Sequence, residues 1–265
     1  MEFFPTRQVA LSFGPLAIHW YGLLYLVAFL LAWYLIPRLG KYRNLTLSKE
    51  QVSSLMSYAI LGTLIGGRLG YVLFYGAEYF GEHPLEILAV WKGGMSSHGG
   101  FIGVMLALFL FARNEKIDLW KLGDIVVIPV ALGLALGRLG NFINQELYGP
   151  VTTLPWGVAI PGIEGLRHPT PLYAMAKDLL IAALCFLHLR AKTYNLPPKT
   201  SGTTAALFLI LYGILRFLIE YLRMETAPGL TMGPLHFTRG QILTIPIILL
   251  GLWIFWEKRR EKHES

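Results

Sequence analysis

The 265-residue chain has a single cysteine, Cys185, and it falls inside an apolar run. One thiol cannot form a disulfide framework within the chain, and a cysteine-rich metal site is excluded. A lone cysteine in such a run reads as a small buried hydrophobe. Charge is scarce as well: 15% of the residues are charged, against about 25% in soluble domains. Hydrophobic residues make up 54% and the mean hydropathy is +0.52. So apolar a chain cannot cover itself with solvated groups, so the expected solvent is a bilayer. There is no H-E-x-x-H and no carboxylate cluster, and no metal or other cofactor is expected. There is no G-x-S-x-G elbow to support a serine hydrolase of the α/β type. No segment reads as a removable signal peptide, because the first apolar run has no basic region before it and carries His19, Trp20 and Tyr21. Internal repeats and low-complexity tracts are also lacking.

What is present is a series of long apolar segments. A spanning helix needs about 20 mainly apolar residues. The chain offers seven candidates: Leu16–Ile36, Val52–Tyr75, Gly99–Ala112, Leu122–Phe142, Leu172–Leu189, Thr203–Leu222 and Gln241–Trp256. The third is short, and the glycine-rich stretch Gly93–Gly100 before it is expected to be irregular. The expectation is an all-α polytopic membrane protein, residues 1–265 forming one integral membrane domain. Small outer cap segments fall at about 76–98 and 143–171, the latter including an irregular Pro- and Gly-rich stretch, Pro150–Pro171. Pro84–Trp91 is too short to span and reads as interfacial. Trp91, Trp156 and Trp253 fall near the expected interfaces.

The net charge of +7 does not point to nucleic acid, because the basic residues gather in short loops. Arg38, Lys41, Arg43 and Lys49 follow span one; Arg113, Lys116 and Lys121 follow span three. Arg190, Lys192 and Lys199 follow span five; Lys258, Arg259, Arg260 and Lys262 follow span seven. The intervening loops carry Lys92, Arg167 and Arg223, with Arg239 at the start of span seven, and the N-terminal segment has only Arg7. This alternation places the N-terminus outside and the C-terminus in the cytoplasm.

Three arginines sit within spans, Arg68, Arg138 and Arg216. Each would cost several kcal/mol facing lipid, so each is expected to face the bundle interior, a water-filled cavity or a headgroup. Tyr212, Arg216 and Glu220 follow one another at i, i+4 and i+8, with Arg223 seven after Arg216, so they share a helix face. The Arg216–Glu220 pair serves either to fix helix packing or to pose a guanidinium for an anion. Arg138 falls toward the same outer face, and two arginines at similar depth suit bidentate contact with a phosphate. Arg138 opens a polar cluster, G-R-L-G-N-F-I-N-Q-E-L-Y-G from Gly137, after a charge-free run from Ile125. A continuing helical turn would set Arg138, Asn141 and Gln145 on one face, with Gly149 ending it. The alternative is a polar helix terminus capping its own carbonyls.

W-K-G-G-M-S-S-H-G-G from Trp91 exposes N–H groups between glycines, where an anion or oxyanion can be held. His98 in this loop is suited to exchanging a proton near neutral pH; it is otherwise a capping histidine at the start of span three. Ser96 and Ser97 leave a Ser–His dyad open. His19, Trp20, Tyr21 and Tyr25 open span one, with Tyr21 and Tyr25 on one face, as an aromatic belt or a substrate site. Asp124 suits the N-terminus of span four.

The chain resembles the prolipoprotein diacylglyceryl transferases from end to end. The resemblance is carried by H-W-Y-G-L-L-Y from His19, G-G-R-L-G-Y-V-L-F-Y from Gly66, G-G-M-S-S-H-G-G from Gly93 and the block from Gly137. Y-G-I-L-R-F-L-I-E-Y-L-R from Tyr212 and G-Q-I-L from Gly240 add to it. It implies a bacterial inner-membrane enzyme acting at the first step of lipoprotein maturation. Such an enzyme moves an sn-1,2-diacylglyceryl group from phosphatidylglycerol to the lipobox cysteine thiol of a prolipoprotein, forming a thioether and releasing glycerol 1-phosphate. It implies that Arg138 and Arg216 hold the phosphate, that Glu220 orients Arg216 or contacts the headgroup, and that Asn141, Glu146 and Gly149 shape the pocket. Tyr21 and His98 match functionally important positions, His98 as base for the thiol. Arg68, Tyr212, Arg223 and His19 are secondary candidates. In R-H-P-T-P-L-Y-A from Arg167 the chain departs from the pattern: Pro171 and Ala174 stand where the family commonly shows Gln and Glu.

Two other classes compete with this reading. One is a transporter or channel for an anion or lipid; the other is a non-catalytic protein that binds phosphatidylglycerol. A transporter would place its charges near the midplane, in repeated halves. Substituting Arg138 by alanine separates the roles: a catalytic arginine loses turnover while the bundle persists, and a structural one loses the folded bundle, as thermal unfolding in detergent would record.

Overall fold

The computed structural model describes residues 2–3, 7–14, 16–195, 201–224, 230–232 and 235–263. Lys199, and the side chains of Lys92, Lys192, Arg239 and Lys262 counted above among the loop charges, lie outside the described residues. Helices dominate: α1 (Trp20–Gly40), α2 (Lys49–Tyr75), α3 (Ala77–Glu82), α4 (Ser97–Asn114), α5 (Leu119–Ile143), α6 (Thr170–Asn195), α7 (Thr203–Glu220) and α8 (Arg239–His263). Six are long and apolar enough to cross a membrane, and the apolar part of α4, His98–Asn114, is shorter. Large apolar side chains such as Leu30, Ile65, Leu187 and Leu249 are exposed on the helix faces, as lipid rather than water requires. This is a multi-pass membrane protein.

The fold is not purely helical. Leu16–His19 (β3) pairs with Val9–Phe13 (β2), which pairs with Glu2–Phe3 (β1). The first helix therefore starts at Trp20, later than its hydropathy suggests. Gly14, at φ +58°, turns the chain between β2 and β3 in a conformation most residues resist. The Pro150–Pro171 stretch is not irregular throughout. Val158–Ala159 (β4) pairs with Leu166–Arg167 (β5), and Val151 bridges to Arg167. Leu230–Met232 (β6) and Leu235–Phe237 (β7) form a last hairpin.

The helices group into two compact units, residues 44–122 and residues 1–43 with 123–265. In the first, α2 and α4 meet through small residues spaced by four. A Cβ at Gly62 would lie 2.8 Å from the Ala107 Cβ, and one at Gly70 would lie 2.7 Å from the Gly99 Cα. Gly66 and Gly103 are as close. Among apolar helices, attraction comes from such packing, because lipid is as apolar as leucine. Arg68 is buried in the same unit. It donates to the carbonyls of Glu86 at 2.6 Å, Ile87 at 2.8 Å, Gly93 at 2.6 Å and Gly94 at 3.0 Å. Its guanidinium is largely spent on the main chain and ties the 86–94 loop to α2.

The second unit has a buried knot at the start of α7. Asp124, 0% exposed, accepts the N–H groups of Gly202 at 2.9 Å, Thr204 at 2.8 Å and Ala205 at 2.9 Å. Arg43 Nε donates to the same carboxylate at 2.6 Å, and its Nη2 to Thr204 Oγ1 at 3.0 Å. Asp124 thus caps α7 and not its own helix, where Asp118 takes the N–H groups of Trp120 and Lys121. Cys185 is free and fully buried in α6.

Removing one partner of a buried ion pair leaves the other uncompensated, which costs about 3–5 kcal/mol. Asp124→Ala is therefore expected to lower thermal stability in detergent severely. Asp118→Ala, an exposed helix cap, should cost about 1 kcal/mol. Equal losses would contradict the assignment of Asp124 as the anchor.

Candidate functional site

α5 stops at Ile143 and not at Gly149. The N–H of Gln145 bonds to the Phe142 carbonyl at 3.1 Å and that of Glu146 to the Asn141 carbonyl at 2.9 Å. This is a Schellman turn, with Gln145 at φ +57° in the left-handed position glycine usually fills. The expected alignment of Gln145 with Arg138 and Asn141 is therefore broken. The turn instead brings the Glu146 carboxylate back onto the helix end. It accepts from Asn141 Nδ2 and Asn144 Nδ2, each at 3.1 Å, while Asn141 Oδ1 takes a long bond from Arg138 Nη1 at 3.4 Å. A relay runs from Glu146 through buried Asn141 to Arg138.

Glycines on this stretch seat neighbouring side chains. A Cβ at Gly140 would lie 2.6 Å from the Tyr21 ring, so Tyr21 lies against α5 between Arg138 and Asn141 in sequence. Tyr25 stands beside it, ring centroids 5.1 Å apart. Gly149 lies against the Leu222 carbonyl, and a Cβ there would meet the His168 Cβ at 2.8 Å. Its N–H donates to the His168 carbonyl at 2.8 Å. His168 in turn contacts Tyr173 Oη at 3.2 Å, which accepts from Trp156 Nε1 at 2.7 Å.

On α7 the expected face is present. Arg216 is paired with Glu220, and Arg223 Nη1 lies 3.5 Å from the same carboxylate. Burial and the nearby Arg216 draw the Arg223 pKa below its ordinary value, and Glu220 opposes this. Gly240, at the start of α8, leaves room for Glu220: a Cβ would lie 2.6 Å from Cδ of the carboxylate.

Arg138, Arg216 and Arg223 line one recess with Lys177, Pro171 and Ala174. The space among them is about 10 Å³, room for one water molecule. A cavity of about 250 Å³ adjoins the same helix end, lined by Arg7, Phe142, Glu146, Tyr148, Ile160 and Pro169. Lys177 and Asp178 are both buried within α6 and in ionic contact. Lys-Asp within an otherwise apolar span is the sequence signal for this pair. Lys177 Nζ also lies 4.3 Å from the Tyr212 ring centroid.

The remaining candidates lie apart from this cluster in the chain. His19 is exposed at the N-cap of α1 and makes no capping bond. His98 and Arg68 belong to the other unit. His98 is exposed on the first turn of α4, and its ring has no hydrogen bond among the described residues. The cap of α4 is Ser96, whose Oγ accepts from Gly99 N at 3.2 Å. That replaces the capping-histidine reading. Among the described residues no group of His, Cys, Asp or Glu is arranged to hold a metal.

Gly149→Ala is expected to destabilise the protein by about 1–3 kcal/mol through overpacking. Gly137→Ala, where nothing lies within 4 Å, should be neutral or slightly stabilising. Thermal unfolding of the two variants checks this.

Comparison with known proteins gives a consistent result. The family model for prolipoprotein diacylglyceryl transferase matches residues 8–257. The chain is 42% identical over 260 residues to the phosphatidylglycerol–prolipoprotein diacylglyceryl transferase of Legionella pneumophila strain Corby, covering 96% of this chain and 97% of that one. It is 43% identical over 254 residues to the protein of the same name from Geobacter sulfurreducens, covering 95% of each. With that of Chromohalobacter salexigens it shares 42% over 258 residues, covering 95% of this chain and 92% of the relative.

Proposed function

The chain belongs to the prolipoprotein diacylglyceryl transferase family, and from that premise we propose how its residues carry the diacylglyceryl group of phosphatidylglycerol to a prolipoprotein. The acceptor is the thiol of the lipobox cysteine. Its sulfur attacks the glyceryl carbon bonded to the phosphate oxygen, a thioether forms, and the C–O electron pair leaves with glycerol 1-phosphate. The observation that carries this reading is the meeting of Arg138 and Arg216, from two helices far apart in sequence, at one recess.

Two demands follow from this chemistry. A thiol of pKa about 8.5 attacks well only as thiolate, and the leaving phosphate gains charge as the bond breaks. Arg138 and Arg216 hold the phosphate and meet that growing charge in a site poor in water. Glu220 keeps Arg216 posed, and Arg223 adds a further cation. Asn141 and Glu146 steady Arg138 through the relay, Gly149 keeps the wall of the pocket close, and Tyr21 borders the helix end. His98, exposed and without a hydrogen-bond partner among the described residues, takes the thiol proton. Tyr212 and His19 stay secondary. The hydrogen bonds of Arg68 favour a structural role.

The topology goes with this chemistry. The alternating loop charges favour seven spans in the bacterial inner membrane, the N-terminus periplasmic and the C-terminus cytoplasmic. α4 is the short span. The chain is one integral membrane domain with periplasmic caps over about 76–98 and 143–171.

The test is transfer in nanodiscs from phosphatidylglycerol to a lipobox peptide bearing cysteine or serine. A thioether adduct with glycerol phosphate release, for cysteine only, is the expected result. Arg138→Ala and Arg216→Ala should lower turnover at least a hundredfold while the fold persists, a loss typical of groups that stabilise transition-state charge. A folded protein that binds the lipid and makes no adduct would overturn the reading.

A further inference from the structure

We propose that Lys177 is an additional phosphate-binding residue of this enzyme, a third cationic contact beside Arg138 and Arg216. This rests on the reading that those two arginines hold the lipid phosphate. Lys177 projects from α6 into the recess they line, and its side chain is 4% exposed. Its Nζ has no hydrogen-bond acceptor, and neither oxygen of Asp178 has a donor. The two are in ionic contact but not in hydrogen-bond geometry. Adjacent side chains on a helix diverge by about 100°, so the contact between them is poorly directed. An ammonium has three donors, and burying them unmet is costly. The Tyr212 ring satisfies the charge in part, at 4.3 Å, but accepts none of the donors in a directed bond.

Pro171 and Ala174, which line the same wall from α6, offer neither an acceptor nor bulk. Around the recess stand the four cations Arg138, Lys177, Arg216 and Arg223, against the carboxylates of Asp178 and Glu220. With Glu146 reaching Arg138 through Asn141, at least one positive charge is left unbalanced. The substrate phosphodiester brings one negative charge, and the departing phosphate monoester brings close to two. Surplus positive charge favours the product side of the C–O cleavage over the substrate side, which is where binding accelerates the step. A lysine serving only to neutralise Asp178 would not need to face the recess.

The experiment measures transfer from phosphatidylglycerol to the cysteine peptide, and its inhibition by added sn-glycerol 1-phosphate, for the full-length protein and for Lys177→Met and Asp178→Asn. Lys177→Met is expected to lower kcat/KM, and to raise the inhibition constant for sn-glycerol 1-phosphate, each by about tenfold to a hundredfold, as the loss of a charged hydrogen bond does. Asp178→Asn adds a positive charge to the surplus and should tighten that inhibition at least about threefold. It carries the test if Lys177→Met does not fold. Unchanged inhibition in either folded variant, with the parent protein active, would overturn the role of Lys177 alone. An inactive parent would instead overturn the functional reading beneath it.

Discussion

The buried carboxylate of Asp124 sets the level of everything at the other end of its unit. It belongs to α5, yet it caps α7 through three main-chain N–H groups and is neutralised by Arg43 from the segment after α1. Two helices are thereby pinned at one end. From Asp124, α5 climbs fourteen residues to Arg138; from Thr204, α7 climbs twelve to Arg216. At 1.5 Å per residue these are about 21 Å and 18 Å. The two guanidinium groups arrive at nearly the same height because their helices are counted from a shared origin. A register slip in either helix would separate them by several ångströms, more than a bidentate contact tolerates.

At that height the chain uses backbone shape where it has few side chains to spare. The left-handed turn at Gln145 bends Glu146 back onto Asn141, so one carboxylate steadies two amides and, through one of them, an arginine. Gly140, Gly149 and Gly240 act as seats. Each brings a backbone within van der Waals contact of a group that the site needs close, namely the Tyr21 ring, the Leu222 carbonyl and the Glu220 carboxylate. None of these contacts is strong alone, but each removes a freedom from a neighbouring group. Preorganisation of this kind is what allows few charges to act strongly.

Much of this was legible in the sequence, and the reasons differ by element. The helices announce themselves through hydropathy, and the Tyr212–Arg216–Glu220 face through plain helical spacing. Span four is expected to end at Phe142 and α5 ends at Ile143; what fails is the continuing turn toward Gly149, because the Schellman turn falls on a glutamine whose left-handed conformation no propensity suggests. Leu16–His19 is apolar enough for a span, but it lies in a small sheet because β2 offers it a pairing partner across a glycine turn. The function of Asp124 was hidden for another reason. Position along a helix suggests a cap for that helix, and only the fold shows whose N-terminus is in reach. Lys177 and Asp178 stand in the sequence as an adjacent lysine and aspartate within an apolar span, but only the fold shows that Lys177 faces the recess of Arg138 and Arg216.

Arg7 stands near the start of the chain and donates to the carbonyls of Ile143 and Phe142 at the end of α5, at 2.6 Å and 3.5 Å. The separation in sequence is 136 residues. Synthesis runs at about 5–20 residues per second, so these acceptors follow the arginine out of the ribosome by roughly ten seconds. During that delay several hydrophobic segments have to enter the bilayer while the Arg7 side chain lacks these acceptors. The Arg7 side chain is thus fastened only once α5 has been made, and its fastening closes over the end of the helix that carries Arg138.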